Sequence, residues 1–424
     1  MRRGRVDGEL AGEPMKSVEQ HVSDILATVS SPRPIELDLL RAHGSVLAEQ
    51  VVAEVSLPPF DNSAMDGYAV RSADVAGAST GEPVLLPVVA DIPAGDTFTS
   101  VIPAGMCARI MTGAPMPVGA DSVVPVEWTD GGAATVAVRR PAAEGNAVRR
   151  EGGDVRKGTE VLSAGVRIGP AEIAVLASVG RRSALVHPRP RVVVLGTGAE
   201  LVEPGRRLGP GQIWDSNSFM LTAAAIEAGC EGYRHGFVGD DPATVLGAIE
   251  DVLVQADIVI TSGGVSMGAY DVVKEVLLRM GTVRFDKVAV QPGMPQGHGT
   301  VGDSRTPIIT LPGNPVSSYV SFHLFVLPAL RKLSGLPEEP LPSVRARLLT
   351  PVASSPRGKR SYLRAVLDYD ASGGDVAYTA SVVTRQGSHQ LSALAETNAL
   401  VVVPEQETHL PEGSVVEVVK LPYR

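Results

Sequence analysis

Apolar residues recur at different intervals in different parts of the chain. In the first fifty residues the intervals are helical, which predicts one helix over residues 17–29 and a second over residues 37–47. Between residues 57 and about 140, short apolar runs are separated by proline and glycine, as in a β-rich region. Helical spacing returns at residues 170–179, so we predict that the β-rich region is inserted between two halves of one helical domain.

Strands and helices alternate from about residue 189 onwards. This alternation predicts a doubly wound parallel sheet, because a helix is the usual connection between parallel strands. We place the strands at residues 192–195, 233–238, 258–260, 283–290 and 308–311, and the helices at residues 218–228, 242–253, 272–280 and 315–333. Beyond Pro340 only short β-type runs occur, which predicts a small terminal β-barrel or sandwich. The predicted fold class is a multidomain α/β protein.

The stretch around which the chain is organised covers residues 257–281. A buried strand is followed directly by Gly263 and Gly264, then by Ser266 and, at the expected N-cap of a helix, Asp271. Such a loop lets a ligand approach the backbone and directs N–H groups at an anion. An ordinary strand-to-helix turn with a capping aspartate stays open as the alternative on this stretch alone.

Acidic residues follow several strands of the predicted sheet. Because the carboxyl ends of parallel strands meet at one edge, we expect Glu200, Asp240 and Asp271 to lie together around the glycine turn. Carboxylates beside a phosphate-binding loop are explained if Mg²⁺ lies between them and a phosphorylated ligand. The chain has no Gly-x-Gly-x-x-Gly and no Walker lysine motif, which disfavours a dinucleotide dehydrogenase and a P-loop nucleotidase.

Composition excludes several classes of protein. With 424 residues, of which 44% are hydrophobic and 20% charged, the chain is expected to form several globular domains. A net charge of −9 argues against nucleic acid and against a membrane surface as partners. The two cysteines, Cys107 and Cys230, argue against a disulfide scaffold or a zinc site, because they lie far apart without metal-spaced partners. Since no signal peptide or apolar span is present either, we expect a cytoplasmic protein.

Five strings of residues carry a resemblance to a known family. They are PPFDNSAMDGYAV, ARIMTGAP, GQIWDSN, TSGGVSMGAYDVVK and LPGNPVSS, in this order. Together they closely resemble the molybdopterin molybdenumtransferase family, which includes MoeA and the gephyrin E domain. The resemblance begins at about Met15 and covers nearly the whole chain. It implies an elongated homodimer with each active site near the subunit interface. We also predict a homodimer because two short N-terminal helices cannot bury their apolar stripes alone.

The four-domain architecture of that family matches the segmentation of this chain. We predict a disordered tail at residues 1–14, a split helical linker domain at 15–56 and 147–186, an inserted β-rich domain at 57–146, an α/β molybdopterin-binding domain at 187–335 and a C-terminal β-barrel at 336–424.

The resemblance implies an enzyme of molybdenum cofactor biosynthesis. The reaction would take adenylylated molybdopterin and molybdate, cleave the phosphoanhydride, leave molybdenum on the dithiolene and release AMP, with Mg²⁺ as cofactor. Implied protein partners are a molybdopterin adenylyltransferase and the apoproteins of molybdoenzymes.

Residues that match the family's motifs take on implied roles. The implied catalytic residues are Asp66, Thr112, Glu200, Asp240 and Asp271, of which the last three would also hold the metal. The implied substrate-binding residues are Ser262, Gly263, Gly264, Ser266, Lys287, Pro312, Gly313, Asn314, Ser317, Arg364 and Ser388.

Two strings depart from the family pattern. The family's Lys-Pro-Gly-Lys-Pro is here Gln291 to Pro295, so both lysines that would balance a dianion are replaced, while Lys287 remains just upstream. The family's Ser-Thr-Gly-Asp-Glu is here Gly196 to Glu200, with Ala199 in place of one acid. Two other functions stay open: a binding or scaffold protein on the same fold, and a sibling enzyme that adenylylates molybdopterin.

Overall fold

The computed structural model describes residues 15–96, 101–238, 241–264, 272–279, 282–371 and 374–421. The described residues form two compact units. The β unit consists of Glu36–His43 and Leu47–Leu185, and the α/β–barrel unit consists of Gly44–Val46 and the described parts of Met1–Ile35 and Val186–Arg424. The predicted four-domain division is finer than these two units and stays a prediction. The predicted disordered tail at 1–14 lies outside the described residues.

The α-helices within the described residues are mostly short. In chain order they are α1 (Val18–Ala27), α2 (Leu39–Ala42), α3 (Pro170–Ser178), α4 (Asn217–Glu227), α5 (Pro242–Leu253), α6 (Val272–Arg279), α7 (Pro315–Ser321) and α8 (Leu327–Leu333). No helix in this part of the chain is long and apolar enough to cross a membrane.

Strands β1 to β12 precede the α/β region. They are β1 (Ile35–Asp38), β2 (Val46–Leu47), β3 (Val51–Val52), β4 (Asn62–Ser63), β5 (Gly67–Val70), β6 (Val84–Ile92), β7 (Cys107–Ile110), β8 (Ser122–Pro125), β9 (Thr135–Val138), β10 (Val148–Arg149), β11 (Glu160–Leu162) and β12 (Ser183–His187). The β unit contains a five-stranded sheet in the order β8-β5-β7-β6-β9, which confirms the β-rich character expected of residues 57–140.

Strands β13 to β26 follow. They are β13 (Arg191–Thr197), β14 (Leu201–Val202), β15 (Ile213–Trp214), β16 (Glu231–Val238), β17 (Ile258–Ser262), β18 (Arg284–Lys287), β19 (Val290–Gln291), β20 (Pro295–Val301), β21 (Thr306–Leu311), β22 (Ser343–Leu348), β23 (Arg360–Tyr369), β24 (Tyr378–Val382), β25 (Ala399–Val403) and β26 (Val415–Lys420).

The α/β sheet has six strands in the order β16-β13-β17-β21-β20-β18. The first four are parallel, and alternate residues of β13 enter different cores: Val192 and Val194 pack with α4 and α7, whereas Val193 and Leu195 pack with α5 and α6. Both faces of the sheet are therefore covered, which confirms the doubly wound prediction. The last two strands, β20 and β18, are antiparallel. The single strand predicted at 283–290 is wrong, because β18 ends at Lys287 and the next strand, β19, pairs with β23 in another sheet.

The C-terminal strands close into a barrel. Strands β23, β24, β22, β26 and β25 pair in that order, and β25 pairs again with β23. This closure confirms the predicted terminal barrel over the alternative of a sandwich.

Helix α1 packs against its own chain. Ser17 caps it by accepting a hydrogen bond from the Gln20 amide at 3.1 Å, and Val18, Ile25 and Val29 enter the same core as α8. The expectation that this stripe needs a second chain to bury it is therefore wrong. The second N-terminal helix predicted at 37–47 is wrong in most of its length, because only Leu39–Ala42 is helical there and strands flank it.

The predicted long helix at 315–333 is interrupted. Residues Phe322–Val326 form a π-helical segment between α7 and α8, and the five residues are all buried. Asn314 stands at the N-cap position of α7, as predicted, but its side chain makes no capping hydrogen bond.

Candidate functional site

A cavity of about 890 Å³ lies where β13, β17 and β21 end. Its size falls in the range of about 300–1,000 Å³ that is typical of small-molecule sites. The sheet edge is the one at which parallel α/β sheets bind ligands, as the sequence predicted. The predicted residues that line this cavity are Glu200, Ser262, Gly263, Gly264, Pro312, Gly313 and Asn314.

The turn after β17 requires glycine. Gly263 has a φ of +93°, and a Cβ there would lie 2.7 Å from Thr197 Oγ1 and 2.8 Å from the Thr197 carbonyl oxygen. The Gly263 amide donates to the Leu311 carbonyl at 3.0 Å, so this turn is tied to the end of β21. A side chain at this position would force the ends of neighbouring strands apart.

Asn217, at the start of α4, holds two parts of the cavity wall together. Its Nδ2 donates to Ser262 Oγ at 2.8 Å and to the Gly313 carbonyl at 2.7 Å, which joins the loops after β17 and β21. Its Oδ1 is buried without a partner among the described residues. We did not predict a role for Asn217, although its string GQIWDSN was one of those that carried the resemblance.

Two described carboxylates, Asp215 and Glu200, contribute to the cavity wall. Asp215 is 1% exposed and is already engaged, since it accepts from the Ser218 amide at 3.0 Å and lies 3.5 Å from Arg234 Nη1. Glu200 is exposed, and its carboxylate lies over Gly198, where a Cβ would collide with it. Glu200 is therefore the carboxylate available to a ligand or cation.

The part of the wall that the structure describes lacks the two permanently positive side chains. None of the described residues that line the cavity is a lysine or an arginine. Accordingly, the donors that the described wall offers to an anion are backbone amides, hydroxyls, side-chain amides and the ring N–H groups of Trp214 and His389. A polyphosphate bound there would need an added cation to balance its charge.

Four predicted substrate-binding residues do not line the cavity. Ser317 is buried inside α7, and Lys287 lies on the edge strand β18. Ser388 is half-buried, and its carbonyl accepts from the Val316 amide at 3.1 Å, so it joins the barrel to α7 next to the cavity residue His389.

Arg364 holds a loop in this structure. Its side chain has no exposed surface, and its guanidinium donates to the carbonyls of Gln390 at 2.7 Å, of Gly387 at 3.2 Å and of Arg385. These bonds fix the segment that carries Ser388. Burial lowers the pKa of Arg364.

Asp66 and Thr112 lie together in the β unit. Asp66 immediately precedes β5 and Thr112 lies just after β7, and these strands are neighbours because Gly67 pairs with Ile110. Asp66 Oδ1 accepts from the Thr112 amide at 2.7 Å and from its hydroxyl at 2.8 Å, and both bonds lower the pKa of Asp66. A Cβ at Gly67 would collide with the Val124 carbonyl, which explains why glycine follows the aspartate.

Three predicted residues lie outside the described residues: Asp240, Ser266 and Asp271. The expectation that Glu200, Asp240 and Asp271 meet around the glycine turn stays a prediction. Of the residues in this prediction that the structure describes, Glu200 and the Gly263–Gly264 turn line the same cavity.

Family models match three successive parts of the chain. Residues 16–180 match the MoeA N-terminal region (domain I and II), residues 193–332 match a probable molybdopterin binding domain, and residues 345–421 match the MoeA C-terminal region (domain IV).

Individual relatives match over almost the whole length. Molybdopterin molybdenumtransferase 2 of Mycobacterium tuberculosis is 47% identical over 95% of this chain and 99% of its own. Molybdopterin molybdenumtransferase of Nostoc sp. is 37% identical over 96% of this chain and 94% of its own. The crystal structure of the molybdopterin biosynthesis MoeA protein from Pyrococcus horikosii superimposes with a TM-score of 0.78, at 32% identity, over 96% of this chain and 99% of that one. The chain belongs to the molybdopterin molybdenumtransferase family.

Proposed function

We propose that this chain is a molybdopterin molybdenumtransferase, which takes molybdenum from molybdate into adenylylated molybdopterin and releases AMP. The observation that carries the proposal is the cavity at the sheet edge, in which a glycine turn and the exposed Glu200 carboxylate face the same space. Full-length relatives with this name support the reaction class.

The chemistry of the wall suits Mg²⁺ as the cofactor. Mg²⁺ prefers oxygen ligands, and the exposed Glu200 supplies one at a site whose described lining contains no lysine or arginine. We assign the metal to Glu200, Asp240 and Asp271. When bound, the ion offsets the negative charge of the phosphoanhydride.

The described residues position the substrate in this proposal. The Gly263–Gly264 turn lets a phosphate approach the backbone, and Asn217 fixes Ser262 and Gly313 on either side of that turn. Pro312 and Asn314 complete this wall. We keep Ser266, Ser317, Lys287 and Ser388 as proposed substrate-binding residues, and Arg364 as a residue that positions the loop carrying Ser388.

Asp66 and Thr112 are proposed as a further catalytic pair. The two Thr112 hydrogen bonds keep the Asp66 carboxylate ionised and fixed in direction. An ionised, oriented carboxylate can accept a proton or hold a cation.

The assembly and location of the enzyme are also proposals. We propose a homodimer on the family resemblance alone, since the buried stripe of α1 gives no separate reason for one. We propose a cytoplasmic location because the two isolated cysteines suit a reducing compartment. Sedimentation at micromolar concentration tests the dimer, and a compact monomer would contradict it. A molybdopterin adenylyltransferase and molybdoenzyme apoproteins are the proposed protein partners.

The decisive assay measures AMP release by the wild-type chain from adenylylated molybdopterin with Mg²⁺, with and without molybdate. Molybdate-dependent release is the expected result. Formation of adenylylated molybdopterin from ATP and molybdopterin would instead assign the sibling reaction. Binding without turnover of either kind would indicate a scaffold.

Asp271→Asn then separates a metal-binding role from a capping role. Asparagine caps a helix about as well as aspartate, so the free energy of unfolding should change by well under about 1 kcal/mol. Loss of a transition-state contact commonly costs on the order of 3 kcal/mol, or about a hundredfold in rate. We expect unchanged thermal unfolding with AMP release lost. Wild-type activity would leave Asp271 as a cap only.

A further inference from the structure

A cluster of ionisable side chains lies at the opposite end of the α/β sheet from β16. Asp286 on β18 and His298 on β20 come from neighbouring antiparallel strands, and His21 comes from α1. Asp286 Oδ2 lies 3.6 Å from His21 Nδ1 and 3.5 Å from His298 Nδ1. All three residues belong to the α/β–barrel unit.

Three of the four imidazole nitrogens of this cluster lack a hydrogen-bond partner among the described residues. His21 is 0% exposed with both nitrogens unpartnered, and His298 is 4% exposed with its Nδ1 unpartnered, among the residues that the structure describes. The two rings are in edge contact, with centroids 5.0 Å apart. Buried polar atoms almost always have a partner, because leaving one without a hydrogen bond costs about 1–3 kcal/mol. Two of these nitrogens, the Nδ1 atoms of His21 and His298, face the Asp286 carboxylate, and this arrangement indicates a missing ligand.

The charge of the cluster favours a cation as that ligand. The ammonium of Lys16 lies 2.7 Å from Asp286 and 2.8 Å from Asp24, so one lysine faces two carboxylates. Burial opposes ionisation of Asp286, but His21 and Lys16 outweigh it and lower its pKa to about 2. Burial, with His21 next, lowers the pKa of His298 to about 4. One ammonium therefore faces two carboxylates next to the imidazoles, which leaves an excess of negative charge that a cation would balance.

The spacing of the donor atoms suits a tetrahedral metal. Ligands at about 2.0–2.2 Å from a tetrahedral Zn²⁺ lie roughly 3.4 Å from one another. The two nitrogen–oxygen distances, 3.6 and 3.5 Å, are close to this value, and all three donors lie within 4.8 Å of one another. Imidazole with carboxylate suits zinc and its neighbours in the first transition row rather than Mg²⁺.

We propose that His21, Asp286 and His298 form a binding site for a divalent transition-metal ion of the zinc class, separate from the Mg²⁺ site at the cavity. Asp286, Lys16 and Asp24 are partly exposed, so water has access to the open coordination position. The Lys16 ammonium remains as a hydrogen-bond donor to the coordinated carboxylate, which is a common outer contact of metal ligands.

The ion would fasten the first helix to the edge of the sheet. The backbone already makes this connection weakly, since the Lys16 amide donates to Lys287 at 2.9 Å and the Ala289 amide donates to Lys16 at 2.8 Å. A bond from His21 through the metal to β18 and β20 would add a link that only the folded chain can form. Metal binding should therefore stabilise the fold.

The test uses the untagged full-length chain, stripped with a chelator and titrated with Zn²⁺ or Co²⁺ alone. We expect one tightly bound equivalent, a Co²⁺ visible spectrum typical of tetrahedral nitrogen and oxygen ligands, and a higher melting temperature with metal. His298→Gln should weaken binding by about a hundredfold or more, since even indirect contacts to a metal are worth about 10–100-fold. His409→Gln, an exposed histidine on the barrel, is the matched control and should bind like wild type.

Equal binding by the two variants, or no tightly bound equivalent in the wild type, would overturn the proposal. If His298→Gln does not fold, X-ray absorption of the zinc-loaded wild type decides. Two imidazole ligands with light-atom neighbours support the site, and sulfur ligands contradict it. None of these readouts depends on AMP release.

Discussion

The two ends of the six-stranded sheet use polar residues in opposite ways. At the parallel end, the strands finish in a cavity built from glycines, hydroxyls and one exposed carboxylate, Glu200. At the antiparallel end, Asp286 and His298 lie next to His21 of α1, and three imidazole nitrogens of the two histidines have no hydrogen-bond partner among the described residues. The parallel end is an open cavity that can receive a substrate, whereas the two imidazoles at the antiparallel end are buried. Burial, more than the number of charges, separates a reaction site from a structural one.

The largest expected effect tests the rigidity of the parallel end. Gly263→Ala should lower the free energy of unfolding by roughly 3 kcal/mol or more, because its Cβ meets the Thr197 backbone and its φ is unfavourable for alanine. Gly205→Ala is the control: Gly205 has a φ of +88° but nothing within 4 Å of a Cβ, so strain alone should cost about 1–2 kcal/mol. Denaturant unfolding measures both. Equal losses would mean that the turn is not tightly packed.

The second prediction concerns the core between the two ends. His323 lies in the π-helical segment, and burial lowers its pKa to about 4. Its folded pKa is below the unfolded value of about 6.5, so its stabilisation is complete above pH 6.5 and is lost as pH falls towards 4, by roughly 3 kcal/mol.

His323→Phe should flatten this part of the pH dependence, which unfolding at pH 7 and pH 4 measures. Because His298 titrates in the same window, part of the dependence should remain. The exposed control His409→Phe should leave the whole dependence in place, and an equally flat profile in it would refute the assignment to His323.

The sequence predicted the parallel end far better than the antiparallel end. Glycine turns after Ser262 and Leu311 are local signals, and the rule that parallel strands end at one edge placed them together. The cluster of His21, Asp286 and His298 joins residues more than 260 positions apart, so no short-range sequence pattern predicts it. The sequence argument against a zinc site considered only the two cysteines and ligands close to them in the chain.

Other misses have the same cause. The strand predicted at 283–290 merges β18 and β19, because an apolar run does not reveal where a chain changes sheets. Asn217 went unnoticed because its two bonds, to Ser262 and Gly313, exist only after folding. The predicted helix at 37–47 failed because strand pairing outweighed a weak local helical pattern.

A smaller effect is expected when the bridge across the cavity wall is removed. Asn217→Ala takes away the hydrogen bonds to Ser262 and Gly313 and should cost about 2 kcal/mol of stability. Substrate affinity should fall as well, because the two loops lose their fixed spacing. Calorimetric binding of adenylylated molybdopterin provides the measurement, and Asn217→Ala binding at wild-type strength would remove Asn217 from the site.

The smallest effect concerns the helix at the antiparallel end. Ser17→Ala removes the cap of α1 and should destabilise the chain by about 1 kcal/mol. If α1 is fastened by a metal through His21, added Zn²⁺ should recover most of this loss in melting temperature. A loss that Zn²⁺ does not reduce would count against the fastening role.

The central claim is that the parallel edge carries out the transfer reaction, and Glu200→Gln tests it most directly. The variant keeps the size of the side chain and removes the charge proposed to hold Mg²⁺. Molybdate-dependent AMP release should fall by about a hundredfold in Glu200→Gln. It should stay within about twofold of wild type in Glu227→Gln, which neutralises an exposed carboxylate on α4. A wild-type rate in Glu200→Gln would contradict the assignment of the reaction to this edge of the sheet.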